Sequence, residues 1–348
     1  NTKKKSIKGS LPTRGSLPNK GSLPNKGSLP TRGSLPIELK GNTNEITIKY
    51  LENELITRGI GKKEFGLLLK SKKITKLIIP YSVTSIGESA FEYCSNLESI
   101  IIPDSVTSIG KNAFSSCNSI KSVIIPDSVT SIGKNAFSYC NSLKEIKISD
   151  SVTSISREAF FYCSSLEKIE IPNSVTTIGD GAFYNCSSLE EIEIPNSVTS
   201  IGISVFSYCI RLKSIIMPNS ITTIGNSIFY KCSSLKSVII PDSVTSISEG
   251  AFSDCSSLES VIIPNSVTSI GKNAFLHCDS LKSINIPKSI KNITEIGIPK
   301  KTNIKYFPIV EGIKKPKKPK TGKKPKKPKI GKKPKTGKKP KTGKKPKT

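Results

Sequence analysis

The chain has 348 residues, 54 of them Lys or Arg against 26 Asp or Glu, for a formal net charge of +28. The imbalance belongs to the ends, because residues 314–348 carry 19 Lys and no acid while residues 74–313 are close to neutral. No stretch approaches the roughly 20 apolar residues of a membrane helix, and since the sequence begins at Asn1 rather than Met, a missing signal peptide carries little weight.

In chain order, residues 9–36 repeat Gly-Ser-Leu-Pro followed by a polar residue and Lys or Arg, with prolines at 12, 18, 24, 30 and 36. A proline every sixth residue forbids a helix, and so few apolar groups cannot offset ordering entropy. Residues 1–44 are therefore expected to form a low-complexity basic arm. Residues 45–73 differ: residues 45–50 alternate like a short strand, and Leu51, Leu55, Ile56, Phe65, Leu68 and Leu69 fall at roughly helical spacing, interrupted by Gly59 and Gly61. This segment reads as a capping unit for the N-terminal end of a repeat array.

From residue 74 onward the chain is periodic. Cysteines stand at 94, 117, 140, 163, 186, 209, 232, 255 and 278, each 23 residues after the last, and phenylalanines from Phe91 to Phe275 precede them by three positions. A fixed period of this length is the signature of stacked structural repeats, each unable to bury its apolar face alone. One copy reads Leu97, Ile100, Ile102, Pro103, Ser105, Val106, Ile109, Gly110, Ala113, Phe114, Cys117. Its β-branched run at Ile100, Ile101 and Ile102, stopped by Pro103 and Asp104, predicts a strand and turn; Val106 to Ile109 predicts a second short extended piece, and Ala113 to Cys117 a compact turn. About ten coils fill residues 74–298, followed by a cap or linker at 299–313 and the tail at 314–348. In parallel register their strands would stack about 4.8 Å apart.

The strand phrase Leu-x-x-Ile-x-Ile resembles that of leucine-rich repeats. With Pro after the strand, Ile-Gly, then Ala-Phe-x-x-Cys, the unit closely resembles the BspA-like subclass. Departures are few: Ser149 replaces the proline, Ser156 and Ser248 the glycine, Val205 and Ile228 the alanine. The resemblance implies a repeat solenoid, a leucine-rich-repeat arc with a parallel β-sheet on its concave face and short strands or turns on the convex side. It further implies a noncatalytic protein-binding scaffold or cell-surface adhesion or antigen-type protein, on the cell surface or secreted. The cysteines, one per coil without a CxxC pair or nearby histidine, read as a buried column of unpaired thiols, with alternating disulfides or metal binding the competing readings. His277, the sole histidine, reads as a chemically idle surface residue, and no phosphate loop, HExxH or nucleophile elbow is present. No catalysis, cofactor, metal or small-molecule substrate is expected.

Outward strand positions are where a ligand would be felt. One column contains Glu145, Lys168 and Glu191 among serines; its companion runs Ile101, Ile124, Lys147, Glu170, Glu193, Ile216, Ile239 and Ile262. These residues are the candidate protein-binding face. Lateral packing of β-branched residues and cross-strand charge pairs (Lys168 with Glu145 and Glu191, Lys147 with Glu170) explain the same pattern without a ligand. In the tail, proline and like charges predict a disordered, polyproline-like polycation. Lys314, Lys315, Lys317, Lys318, Lys320, Lys323 and Lys324 are its candidate contacts to nucleic acid, acidic lipid or glycan, and the absence of interleaved aromatics makes any nucleic-acid contact phosphate-directed. The alternative function is thus an intracellular nucleic-acid-associated protein, cytoplasmic or nuclear, that uses its repeats to recruit partners. A monomer is expected, because both ends look suited to sealing the stack. Sequons occur at Asn185 and Asn292.

Overall fold

The computed structural model describes residues 37–39, 45–48, 75–79 and 81–307. The helically spaced part of the expected cap, residues 50–69, the proline-spaced repeats at 9–36 and the lysine tail lie outside them. Within the described residues the periodic segment is a parallel β-solenoid. Each coil places a three-residue strand on one side, such as Ser99–Ile101, Ser122–Ile124 or Ser237–Ile239, and a two-residue strand on another, such as Ser108–Ile109 or Ser131–Ile132. Pairing is in register by one full repeat: Ser237 faces Ser260, Val238 faces Val261 and Ile239 faces Ile262. Alternation puts the middle residue of each long strand inside and its two neighbours outside, because strand side chains change face at every step.

A third ladder runs through the turns. Phe91 N–H donates to the Ala113 carbonyl at 2.8 Å and Phe114 to Ala136 at 2.8 Å, so the turns stack by backbone hydrogen bonds just as the strands do. This requires two residues per coil with positive φ, for instance Asn135 (58°) and Tyr139 (58°), or Ser204 (53°) and Tyr208 (61°). His277 is one of them, exposed with φ 57°. The first of these two columns includes Gly181 and Gly250, and otherwise holds Ser, Asn and Glu. The consensus glycine has a different cause, since it does not need a positive φ. A Cβ on Gly133 would stand 2.5 Å from the backbone of Gly110, so neighbouring coils approach too closely for a side chain. Ser156 departs from this rule and donates its hydroxyl to the Ile132 carbonyl at 2.5 Å.

The core is a set of columns. Consecutive phenylalanines stack from Phe91 to Phe275 with centroids 5.2–5.8 Å apart, within the range of offset stacking. All nine cysteines are free and buried. Each Sγ–H from Cys117 onward donates to the carbonyl of the phenylalanine one coil earlier, at 3.1–3.3 Å. The thiol is therefore a small apolar filler that also gives a second hydrogen bond to a buried carbonyl, which already accepts the N–H of the cysteine in its own coil.

The two ends of the long-strand sheet are finished by strands outside the consensus. Glu45–Ile48 pairs in parallel with Lys76–Ile78, in the place where the sequence predicts a strand, and Ile37–Leu39 pairs antiparallel with Glu45–Ile48. That second strand lies in the stretch assigned to the basic arm; it begins just after Pro36, where the proline spacing ends. At the other end Asn303–Phe307 pairs in parallel with Ser283–Pro287. Here Phe275 N–H donates to Ile296 at 2.9 Å, closing the last turn column.

Candidate functional site

The long-strand face carries every sequence-predicted contact residue of the array, and all of them are exposed: Ile101, Ile124, Glu145, Lys147, Lys168, Glu170, Glu191, Glu193, Ile216, Ile239 and Ile262. Exposure of Ile216, Ile239 and Ile262 reaches 61%, 83% and 61%, which for β-branched side chains in regular strands means no cover from their own fold. Glu193 sits opposite Ile216, Ile239 opposite Ile262, and Ile262 opposite Asn285; the strands Ser214–Ile216 and Ser237–Ile239 are neighbours but share no strand ladder among the described residues.

In the charged middle the register sets Lys168 opposite Glu145 and Glu170 opposite Lys147, as the cross-strand pattern predicts. The direct ion pair runs along one strand, Lys168 Nζ to Glu170 at 2.7 Å. Glu170 holds the Lys168 ammonium above its ordinary pKa, with a weaker pull from Glu145 across the strands; the Glu170 carboxyl is held below the usual range by Lys168 first and Lys147 less. With Lys168 satisfied within its own strand, Glu191 and Glu193 have no ion pair among the described residues.

A charged column one position before the long strands is not among the residues that strand alternation singles out. It pairs Lys121 with Glu98 at 3.0 Å, Lys144 with Glu167 at 3.3 Å, Lys213 with Glu190 at 2.6 Å and Lys282 with Glu259 at 2.7 Å. Its signal in the sequence is opposite charges 23 residues apart. These pairs are solvent-exposed and each contributes little to stability. Arg211 also reaches Glu190, and the Glu190 carboxyl is held low chiefly by its hydrogen bond from Lys213.

A second feature beyond the predicted face is an aromatic band on the turns, where Tyr139 meets Tyr162 at 5.1 Å, Phe161 meets Tyr184 at 4.9 Å and Tyr208 meets Tyr230 at 5.4 Å. Lys231 covers the Tyr208 ring at 5.0 Å. Tyr139, Tyr162 and Tyr184 stack face to face, while Tyr208 meets Tyr230 edge-on. The Tyr184 hydroxyl is pushed up to about 12, mainly by desolvation and then by Tyr208.

Among the described residues no group of three or more His, Cys, Asp or Glu could hold a metal, and no helix is long and apolar enough to cross a membrane. The tail contacts Lys314, Lys315, Lys317, Lys318, Lys320, Lys323 and Lys324 lie outside the described residues. Of the two sequons, Asn185 stands at φ 55° beside buried Cys186, whereas Asn292 is exposed and accepts the Thr294 hydroxyl at 2.7 Å.

Comparison with known proteins agrees with this architecture. The BspA type leucine rich repeat region, in six copies, matches residues 60–190 and 176–305. Among solved structures, the chain is 33% identical to a leucine rich cell surface protein from Faecalibacterium prausnitzii, over 69% of this chain and 62% of that one, with a TM-score of 0.47. It is 28% identical to a leucine-rich repeat protein from Bacteroides ovatus, over 78% and 97%, with a TM-score of 0.42. Identity to the pneumococcal vaccine antigen PcpA is 24%, over 67% and 63%, with a TM-score of 0.49. This chain thus spans less than two thirds of the Faecalibacterium protein and of PcpA. No curated protein matches. With well over half of its length matched by one family description and the coil geometry continuous across it, the chain belongs to the BspA-type leucine-rich repeat family.

Proposed function

We propose that the chain is a noncatalytic protein-binding scaffold of the surface-adhesion or antigen kind, with the long-strand face as its contact surface and its basic tail as an attachment to anionic surfaces. The observation that carries this reading is the uncovered row of Ile216, Ile239 and Ile262 on three successive long strands, held by parallel pairing on either side and by the stacked core of the coil. Contiguous exposed apolar side chains rimmed by charge are a feature of interaction surfaces. The phenylalanine and cysteine of each coil, and the glycine where it is present, are committed to stacking, so outward positions are the ones free to specify a ligand.

The test replaces Ile216, Ile239 and Ile262 together by Thr. Threonine keeps the β-branch, so circular dichroism and melting should change little while partner capture in a pull-down is lost. Unchanged capture would reject this face. For the tail, removal of residues 314–348 is expected to abolish salt-sensitive retention on heparin, and unaltered retention at low ionic strength would reject the attachment role.

A further inference from the structure

The long-strand face has a direction. Along its isoleucine row the rungs read Glu193, Ile216, Ile239, Ile262 and Asn285, with Glu191 beside Glu193 on the same strand. The nearby carboxylates Glu167, Glu170 and Glu190 each have a lysine partner; Glu191 and Glu193 have none among the described residues. An apolar track three rungs long therefore ends in two exposed carboxylates with no ion-pair partner among the described residues. Any ligand on the track gains most if it is apolar along its length and cationic at that end.

The spacing selects the ligand's backbone. Rungs lie about 4.8 Å apart, so an occupant aligned with the stack must offer one side chain per roughly that distance. An extended peptide presents same-face side chains about 6.6–6.8 Å apart and falls out of step by nearly 2 Å at each rung. An α-helix presents one per 5.4 Å turn and slips by only about 0.6 Å, a drift that long aliphatic side chains absorb. Four rung steps, from Glu193 to Asn285, measure about 19 Å, the length of a helix of about 13 residues.

We propose that this track binds one amphipathic helix of a partner protein, about 13 residues long, with an apolar side chain on each of three successive turns and Lys or Arg on the next turn over Glu191 and Glu193. The inference rests on the long-strand face being the binding surface and names what that surface takes. Its test is selection of binders from a displayed library of helical and extended 14-residue peptides against the intact chain, followed by affinities for the I216T/I239T/I262T and E191Q/E193Q variants. The expected binders are helical, carry apolar residues at i, i+3 or i+4, and i+7 with a basic residue one turn beyond, lose binding to the isoleucine variant, and weaken about twofold to fivefold per neutralised glutamate with matching salt dependence. Binders that need the isoleucines but are extended, lack basic residues or ignore E191Q/E193Q would overturn the helix assignment while leaving the face itself standing. Binders indifferent to the isoleucine variant, or no binders at all, would overturn both.

Discussion

The buried thiol column should make the fold open in alkali. A cysteine free of the fold ionises near 9.0, whereas burial pushes Cys140, Cys209 and Cys278 up to about 12 and holds Cys117, Cys163, Cys186, Cys232 and Cys255 well above 9.0. The folded state thus keeps protons that the unfolded state releases. Stability from this source is complete below pH 9 and falls as pH rises from about 9 towards 12; acidification costs nothing. The slope is about 1.4 kcal/mol per thiol per pH unit, so near pH 10 eight such thiols withdraw about 11 kcal/mol, as much as a whole domain typically possesses. Coils should therefore open between about pH 9 and 11, long before the buried groups themselves would ionise in place. Far-UV circular dichroism and pulsed iodoacetamide labelling, read by mass spectrometry across a pH series, check this. The two signals should move together. Labelling in the native state at pH 8, or a fully structured chain at pH 12, would refute the argument from burial.

Two further predictions concern the coil itself. Phe206 lies between Phe183 and Phe229 at 5.7 and 5.8 Å with no exposed surface, so Phe206→Ala should cost about 3–5 kcal/mol in urea unfolding; a loss below 1 kcal/mol would mean the ring stack is not structural. Ser204 has φ 53°, so Ser204→Gly should gain about 0.5–1 kcal/mol and Ser204→Val should lose more than 1 kcal/mol. Equal melting temperatures for the two variants would deny the left-handed turn.

The periodic core is readable in the sequence because a residue type repeated at one spacing names its own neighbours: Phe114 can only stack on Phe91 and Phe137. Exposure of Ile239 is equally readable, since strand alternation fixes its face once Val238 is placed inside. The Lys168 to Glu170 pair is not, because rotamer choice, which periodicity does not constrain, decides between a partner along the strand and one across it. The antiparallel strand Ile37–Leu39 is hidden for another reason, as its pairing with Glu45–Ile48 lies outside the repeat and no column predicts it. Similarly, the left-handed turn positions hide behind residues as different as Tyr139, Asn185 and Lys231, and only their shared dihedral reveals them.

The hydrogen-bonded turns have a consequence for how such a chain can evolve. Each coil offers its upper neighbour the same donors that its lower neighbour offers to it, as Phe91 to Ala113 and Phe114 to Ala136 illustrate. Excising one whole unit, or copying it, leaves two cut surfaces that still fit. Recombination between near-identical gene segments can thus change the reach of the molecule without an intermediate that fails to fold, while a deletion of any other length would misalign every column beyond it.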